Sequence, residues 1–238
     1  GTNHNSAQVQ DHKPVAEQTE AVGHAVRAQY MYTGMADVAL LEGTDVYDTA
    51  LLSLWEDVTH RKSYITGGVG IAVGNEGFGD PYQLPNDGAY CETCAQVADM
   101  MWNQRMNLLY GDSKYGDQME LLLYNSIISG VNMDGNRFFY QNPMSSGGGL
   151  ERSEWFYGVP CCPTNLMRSV MSLGGYIYNQ EKDTVTMNLY IGNEADLTVD
   201  GKAVRLTTET NMPWAGSSTI TVDANEPTAM TLKLRIPN

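Results

Sequence analysis

A mainly helical region followed by an antiparallel β region is the fold class this sequence predicts. Three observations carry that expectation. Apolar residues recur at helical spacing from Lys13 to about Tyr178, the period changes to two after about Glu181, and Asp200-Gly201 lies between two short runs as a hairpin turn. The expected domains are residues 1–180 and 181–238.

Val22, Val26 and Tyr30 mark a first helix, and Val46, Ala50, Leu54 and Val58 a second. Val97, Met101, Leu108 and Leu109 mark a third, and Tyr115, Met119, Leu122, Leu123 and Ile127 a fourth; about five or six helices fit the region in all. Asp45 and Ser113 are expected amino-terminal caps, and Gly34, Gly43 and Gly111 expected stops, which divide the region into antiparallel hairpins. Between the second and third helices runs a Gly-rich connection, Thr66 to Gly88. Structureless loops of that length in compact domains are usually functional, the plainer reading being a surface loop. Met133 to Asn136 reads as a turn feeding the aromatic strand Arg137-Phe138-Phe139-Tyr140. Later, Val185, Met187, Leu189 and Ile191 alternate with polar neighbours, as do Met230, Leu232, Leu234 and Ile236. These are expected to open a β-sandwich that the chain ends too soon to close.

With 42% apolar residues the chain can bury a core, and 28 acidic against 14 basic side chains give a formal charge of -14. That charge repels a phosphate backbone and an anionic bilayer, so neither nucleic acid nor a membrane is an expected partner. A neutral sugar is compatible with it, although an acidic surface also simply keeps a protein in solution. No apolar stretch approaches the roughly 20 residues of a membrane span. The polar start Gly1 to Asn5 has no signal-peptide pattern, so a targeting segment is expected to be absent or removed.

Cys91, Cys94, Cys161 and Cys162 form two tight clusters, a pattern that favours metal or thiol chemistry over a disulfide scaffold. With Glu92 they suffice for a tetrahedral zinc site. If Ala89 to Cys94 is helical, Cys91 and Cys94 share a face and a closed four-cysteine structural site results. If the stretch is extended, Glu92 and Cys94 share a side and Cys91 faces away. Periodicity leaves both open, along with a disulfide or inert buried thiols.

Six ordered blocks carry a family resemblance. They are Gln10-Asp11-His12-Lys13-Pro14-Val15, the run Glu20 to Arg27, Tyr64-Ile65-Thr66-Gly67-Gly68, Leu84-Pro85-Asn86-Asp87, Glu92-Thr93-Cys94 and Cys161-Cys162-Pro163-Thr164-Asn165. Together they resemble the β-L-arabinofuranosidases of glycoside hydrolase family 127 and the related family 146. The resemblance implies the carboxyl-terminal half of an (α/α)6 barrel followed by the first strands of a sandwich. The missing amino-terminal half or another chain would complete the barrel, and this chain alone is not expected to be active. It also implies a zinc ion held by Glu92, Cys94, Cys161 and Cys162, with Cys161 as nucleophile and Glu76, in Gly74-Asn75-Glu76-Gly77, as acid/base. Two displacements at the anomeric carbon would then retain its configuration. Cys91 departs from the family pattern, which has a small residue there, and stands as a competing ligand for Glu92.

His24 and Tyr140 are the implied sugar-binding residues. By helical pitch His24 lies about 200° from Val22, a solvent-facing position in an isolated helix. Tyr140 reads equally as a core aromatic, and Glu76 as one acidic residue among 28. His4, His12 and His60 receive no role, and Trp55, Trp102 and Trp155 read as packing residues. The implied substrate is a glycan bearing L-arabinofuranose, and the implied compartment is either cytoplasm or periplasm. Three alternatives remain: the same chemistry on another plant-glycan sugar, a non-catalytic module with a structural four-cysteine zinc site, and a glycosidase using Glu76 and Asp80 with idle cysteines.

Overall fold

The computed structural model describes residues 6–72, 75–154 and 158–238; His4, Gly74 and Trp155 therefore lie outside the described residues. The chain divides into two compact units, Gly1–Val170 and Met171–Asn238. Among the described residues, no helix is long and apolar enough to cross a membrane.

The first unit is built on α1 (Ala25–Glu42), α2 (Asp48–Asp57), α3 (Thr93–Tyr110), α4 (Ser113–Leu122) and the start of α5 (Cys161–Ser172). Ala25, Ala28, Ala36 and Ala39 make one face of α1 small enough to lie close against α3. Tyr32 and Trp102 fill the space between them, with ring centroids 4.9 Å apart. Leu51, Leu54 and Met106 are completely buried in the same core, each stabilising the fold by about 1.5–3 kcal/mol relative to exposure. Trp55 joins them and donates its indole N–H to Asn103 Oδ1 at 2.7 Å, so its one polar atom is satisfied. Helices α2 and α4 each run on into a single π-helical turn, Val58–Lys62 and Leu123–Ile127.

Several local expectations need correction. Helix α1 begins at Ala25, so Val22 lies before it and His24 is its extended N-cap residue, not a residue of an outer face. Gly34 lies inside α1, because an isolated glycine costs a helix only about 1 kcal/mol and tertiary packing outweighs that. Asp112, not Ser113, caps α4, accepting from Lys114 N; Asp45 precedes α2 by three residues. Gly43 and Gly111 do end α1 and α3, both in the left-handed conformation.

A buried ion pair fixes the approach to α1. Asp57 Oδ2 accepts from Ala21 N at 2.8 Å and lies 3.4 Å from Lys62 Nζ, which itself donates to Ala21 O at 2.7 Å. Both side chains are almost fully buried. Gly23 then turns with φ +71°; a Cβ there would lie 2.0 Å from Ala7 O, so no other residue fits. The long loop docks on this segment, with Ala25 N donating to Glu76 O and Phe78 N to Gly23 O. The strand β1 (Arg137–Phe138) pairs with β2 (Ser153–Glu154) after the expected turn.

The second unit contains a short helix, α6 (Gly174–Ile177), and two three-stranded sheets. One has the order β3 (Tyr178–Glu181), β4 (Thr184–Met187), β8 (Thr231–Leu234), and the other β5 (Asn193–Val199), β6 (Lys202–Thr210), β7 (Ser218–Ala224). Val185 of the first sheet packs with Val199, Val204 and Leu206 of the second. Asp200-Gly201 forms the expected hairpin turn, both residues at positive φ. The pairing is antiparallel throughout except that β4 and β8 run parallel, a crossover pairing that alternation along one strand cannot reveal.

Replacing Lys62 with Met is expected to strand the Asp57 carboxylate in the core and to cost about 3–5 kcal/mol, read as a lowered denaturation midpoint in urea.

Candidate metal centre and active site

Two helix amino termini meet at the site. Glu92 is the N-cap residue of α3 and Cys94 its second residue, while Cys161 and Cys162 open α5. The carboxylate of Glu92 does not cap its own helix. It points instead at the sulfurs, 3.9 Å from Cys161 Sγ and 3.7 Å from Cys162 Sγ. Cys94 and Cys162 are 3.4 Å apart, and Cys161 and Cys162 3.8 Å.

Those separations exceed a disulfide bond of about 2.05 Å, and all four cysteines are free. They do match the edges of a tetrahedron around a zinc ion, which for bonds of about 2.3 Å to sulfur and 2.1 Å to oxygen are about 3.6–3.8 Å. One ligand atom from each of Glu92, Cys94, Cys161 and Cys162 lies within 4.8 Å of all the others. Glu92 Oε2 is buried and accepts no hydrogen bond, an acceptor that a cation would satisfy.

The protonation pattern agrees. Burial first and the Cys94 sulfur next push the Glu92 carboxyl up to about 8 and the Cys161 thiol up to about 11. Cys94 is drawn down to about 6, chiefly by its contact with Cys162 and, against the cost of burial, by Asn165. Without a cation, a pocket of this kind holds few of the negative charges its donors could carry. The residues therefore fit a thiophilic divalent cation.

Cys91 stands apart from this group. Its φ of +41° breaks the chain between the two geometries the sequence left open, neither helical nor extended. Its side chain packs with Tyr64 and Ile71, and a Cβ on Gly68 would lie 3.1 Å from its sulfur. The closed four-cysteine arrangement does not form.

The loop delivers Glu76 beside this cluster. Asn75 and Glu76 both take positive φ, a conformation that costs a non-glycine residue about 1–3 kcal/mol and persists only where the surroundings impose it. Here backbone pairing of residues 76–78 with 23–25 does so. Glu76 Oε2 lies 3.0 Å from His24 Nε2, and Glu76 Oε1 accepts from Tyr90 at 2.6 Å and from Tyr140 at 3.1 Å. The Tyr90 hydroxyl is the first cause holding the Glu76 carboxyl below its ordinary range, with Tyr140 and His24 adding to it against partial burial. Burial is in turn the first cause lowering His24, against the neighbouring Glu76 carboxylate, which raises it.

Tyr140 reaches this position because residues 139–142 run across the start of α3. Thr93 N donates to Tyr140 O, and Asn142 N to Cys91 O. Glu76, His24 and Tyr140 thus come together, with the cluster of Glu92, Cys94, Cys161 and Cys162 adjoining them through Glu92, whose carboxylate lies within 4.8 Å of His24 and Glu76. Asp80 is an exposed residue held in a local turn with Gln83 and belongs to neither group. Tyr90 is the residue the sequence reading passed over. Its only signal was its place one residue before Cys91, since nothing in periodicity shows that its hydroxyl folds back onto a carboxylate 14 positions earlier.

Comparison with known proteins follows the same lines. The family described as Beta-L-arabinofuranosidase, GH127 catalytic domain, matches residues 2–175, and the GH127 middle domain matches residues 184–238. A non-reducing end beta-L-arabinofuranosidase of Bifidobacterium longum subsp. longum is 37% identical over 226 residues, covering 88% of this chain and 33% of the relative. A solved GH127 beta-arabinofuranosidase superposes with a TM-score of 0.92 at 49% identity, covering 99% of this chain and 37% of that one. A GH127 beta-L-arabinofuranosidase from Geobacillus stearothermophilus T6 gives 0.91 at 45%, covering 97% and 38%. The chain thus spans about a third of the length of the curated relative it matches. It belongs to the GH127 family of glycoside hydrolases.

Proposed function

We propose that the protein containing this chain is a retaining, exo-acting β-L-arabinofuranosidase with Cys161 as nucleophile and Glu76 as acid/base. In the same reading, residues 1–180 belong to a barrel catalytic domain and residues 181–238 open a sandwich domain. The observation that carries the assignment is exposure: Cys94 and Cys162 are buried, whereas Cys161 is the partly exposed cysteine of the cluster.

Glu92, Cys94, Cys161 and Cys162 would hold zinc. When bound there, zinc keeps the Cys161 sulfur deprotonated near neutral pH, and the thiolate is the nucleophilic form. In the first step Cys161 Sγ attacks the anomeric carbon while the glycosidic C–O bond breaks and Glu76 gives its proton to the departing oxygen. A thioglycoside of Cys161 results. In the second, the Glu76 carboxylate takes a proton from water, whose oxygen attacks the same carbon and releases the Cys161 thiolate. His24 and Tyr140 are assigned to sugar hydroxyls. Both bond Glu76 in the resting site, so a sugar that draws them away weakens two of the interactions favouring the carboxylate and lets Glu76 enter the first step protonated.

The full-length protein is expected to release 4-nitrophenol from 4-nitrophenyl β-L-arabinofuranoside and to form the β anomer first, as read by NMR. Cys161→Ala should remove the activity. No release with zinc and reductant present would overturn the reading, whereas Cys161-dependent release from a different glycoside would keep the chemistry and change the sugar. Glu76→Gln should slow cleavage of an alkyl arabinofuranoside by about 10²–10⁴-fold and of an activated aryl one far less.

Because Glu76 must be protonated to act as acid, its pKa sets the basic limb of kcat/KM against pH. Tyr90→Phe removes the first cause depressing that pKa, so the limb is expected to move to higher pH. A limb that stays in place would show that another group sets it.

A further inference from the structure

The run Cys161-Cys162-Pro163-Thr164-Asn165 ends in a residue to which the reaction above gives no part. Asn165 lies one turn into α5 and its amide Nδ2 donates to Cys94 Sγ at 3.0 Å. On its other side Asn165 Oδ1 accepts from Arg168 at 2.6 Å and from the Tyr30 hydroxyl at 3.1 Å. Arg168 also donates to the Tyr30 hydroxyl and sits over its ring, 5.7 Å from the centroid. Three helices, α1, α3 and α5, are tied together by this chain of contacts.

The orientation of the amide is fixed by chemistry. A guanidinium can only donate, so the oxygen of Asn165 must face Arg168 and its N–H must face the sulfur. The residue is thereby locked as a donor toward Cys94, and a sulfur accepts such a bond best as a thiolate. Three thiolates and a carboxylate carry twice the charge that one divalent ion cancels, so the surplus has to be met by helix termini and hydrogen-bond donors. Arg168 is the cation of this network, and the Asn165 amide links it to Cys94.

We propose that Asn165, held by Arg168 and Tyr30, is a positioning residue for the metal centre, orienting Cys94 and offsetting its charge. This rests on the zinc reading above. Outer-shell partners of this kind are typically worth about 10–100-fold in metal affinity.

The test uses the full-length protein, with the zinc dissociation constant measured by competition against a chromophoric chelator. Asn165→Ala is expected to weaken zinc by about 10–100-fold and Arg168→Met by a smaller factor, while Met171→Ala, an exposed residue of the same helix, leaves it unchanged. With cobalt(II) in place of zinc, loss of the N–H···S bond should move the sulfur-to-metal charge-transfer band to longer wavelength. A role confined to holding α5 in place would leave that band where it is. Arg168 is exposed, so Arg168→Met probes the same network without opening the core should the Asn165 variant fail to fold. Zinc binding in the parent with unchanged affinity and spectrum in both variants overturns the inference alone. A parent that binds no zinc overturns the reading beneath it as well.

Discussion

Four groups that can each carry negative charge are packed within one small volume, and the architecture of the first unit answers to that constraint. Glu92 and Cys94 belong to the amino terminus of α3, Cys161 and Cys162 to that of α5. Unpaired N–H groups and aligned peptide dipoles make such ends the favourable place for anionic ligands. Bringing both ends to one point requires α3 and α5 each to be held by packing. The close α1–α3 packing supplies the first, through Ala28, Tyr32 and Trp102. The second comes partly from contacts such as Gly130, which has Thr93 Oγ1 and Leu166 Cδ1 at 3.1 and 3.3 Å from where its Cβ would be.

The arrangement around Glu76 is subordinate to the same packing but uses a different device. Glu76 sits on a loop, where position is normally poorly defined, yet its carboxylate has three hydrogen-bonding partners from three separate segments. The loop is held by bridges such as His24 to Gly77 and Ile71 to Ala89. The strained backbone at Asn75, Glu76 and Cys91 lies where the chain must turn abruptly to serve both the carboxylate and the sulfur cluster. Strain of this kind gathers at sites whose surroundings over-determine them. Further back, Asp57 and Lys62 clamp Ala21, three residues before the N-cap His24.

Tyr90 and Asn165 have a common logic. Each bears on a group of the site through a hydrogen bond, and each is itself placed by residues far away in sequence. Tyr90 bears on Glu76 and packs edge-on against Tyr140, with ring centroids 6.2 Å apart. Asn165 bears on Cys94 and is gripped by Tyr30, 135 positions earlier. Neither adds a charged group of its own. Both decide how charge already present is distributed.

The sequence by itself determined the class of the fold, because periods of 3.6 and 2 are local properties that the side chains of Leu51, Leu54, Met119, Val185 and Val204 display wherever they fold. The candidate site residues came from a resemblance to a known family, carried by six ordered blocks, since spacing alone left Cys91 and Glu92 both open and gave no sign of Tyr90. Only the tertiary structure decided the rest. Whether Cys91 joins the cluster turns on one left-handed backbone angle, His24 is a cap and not a face because Gly23 and Asp57 fix the chain before it, and β8 runs parallel to β4 through a long-range pairing. Each is set by groups distant along the chain, and no local pattern encodes a contact whose partner lies elsewhere.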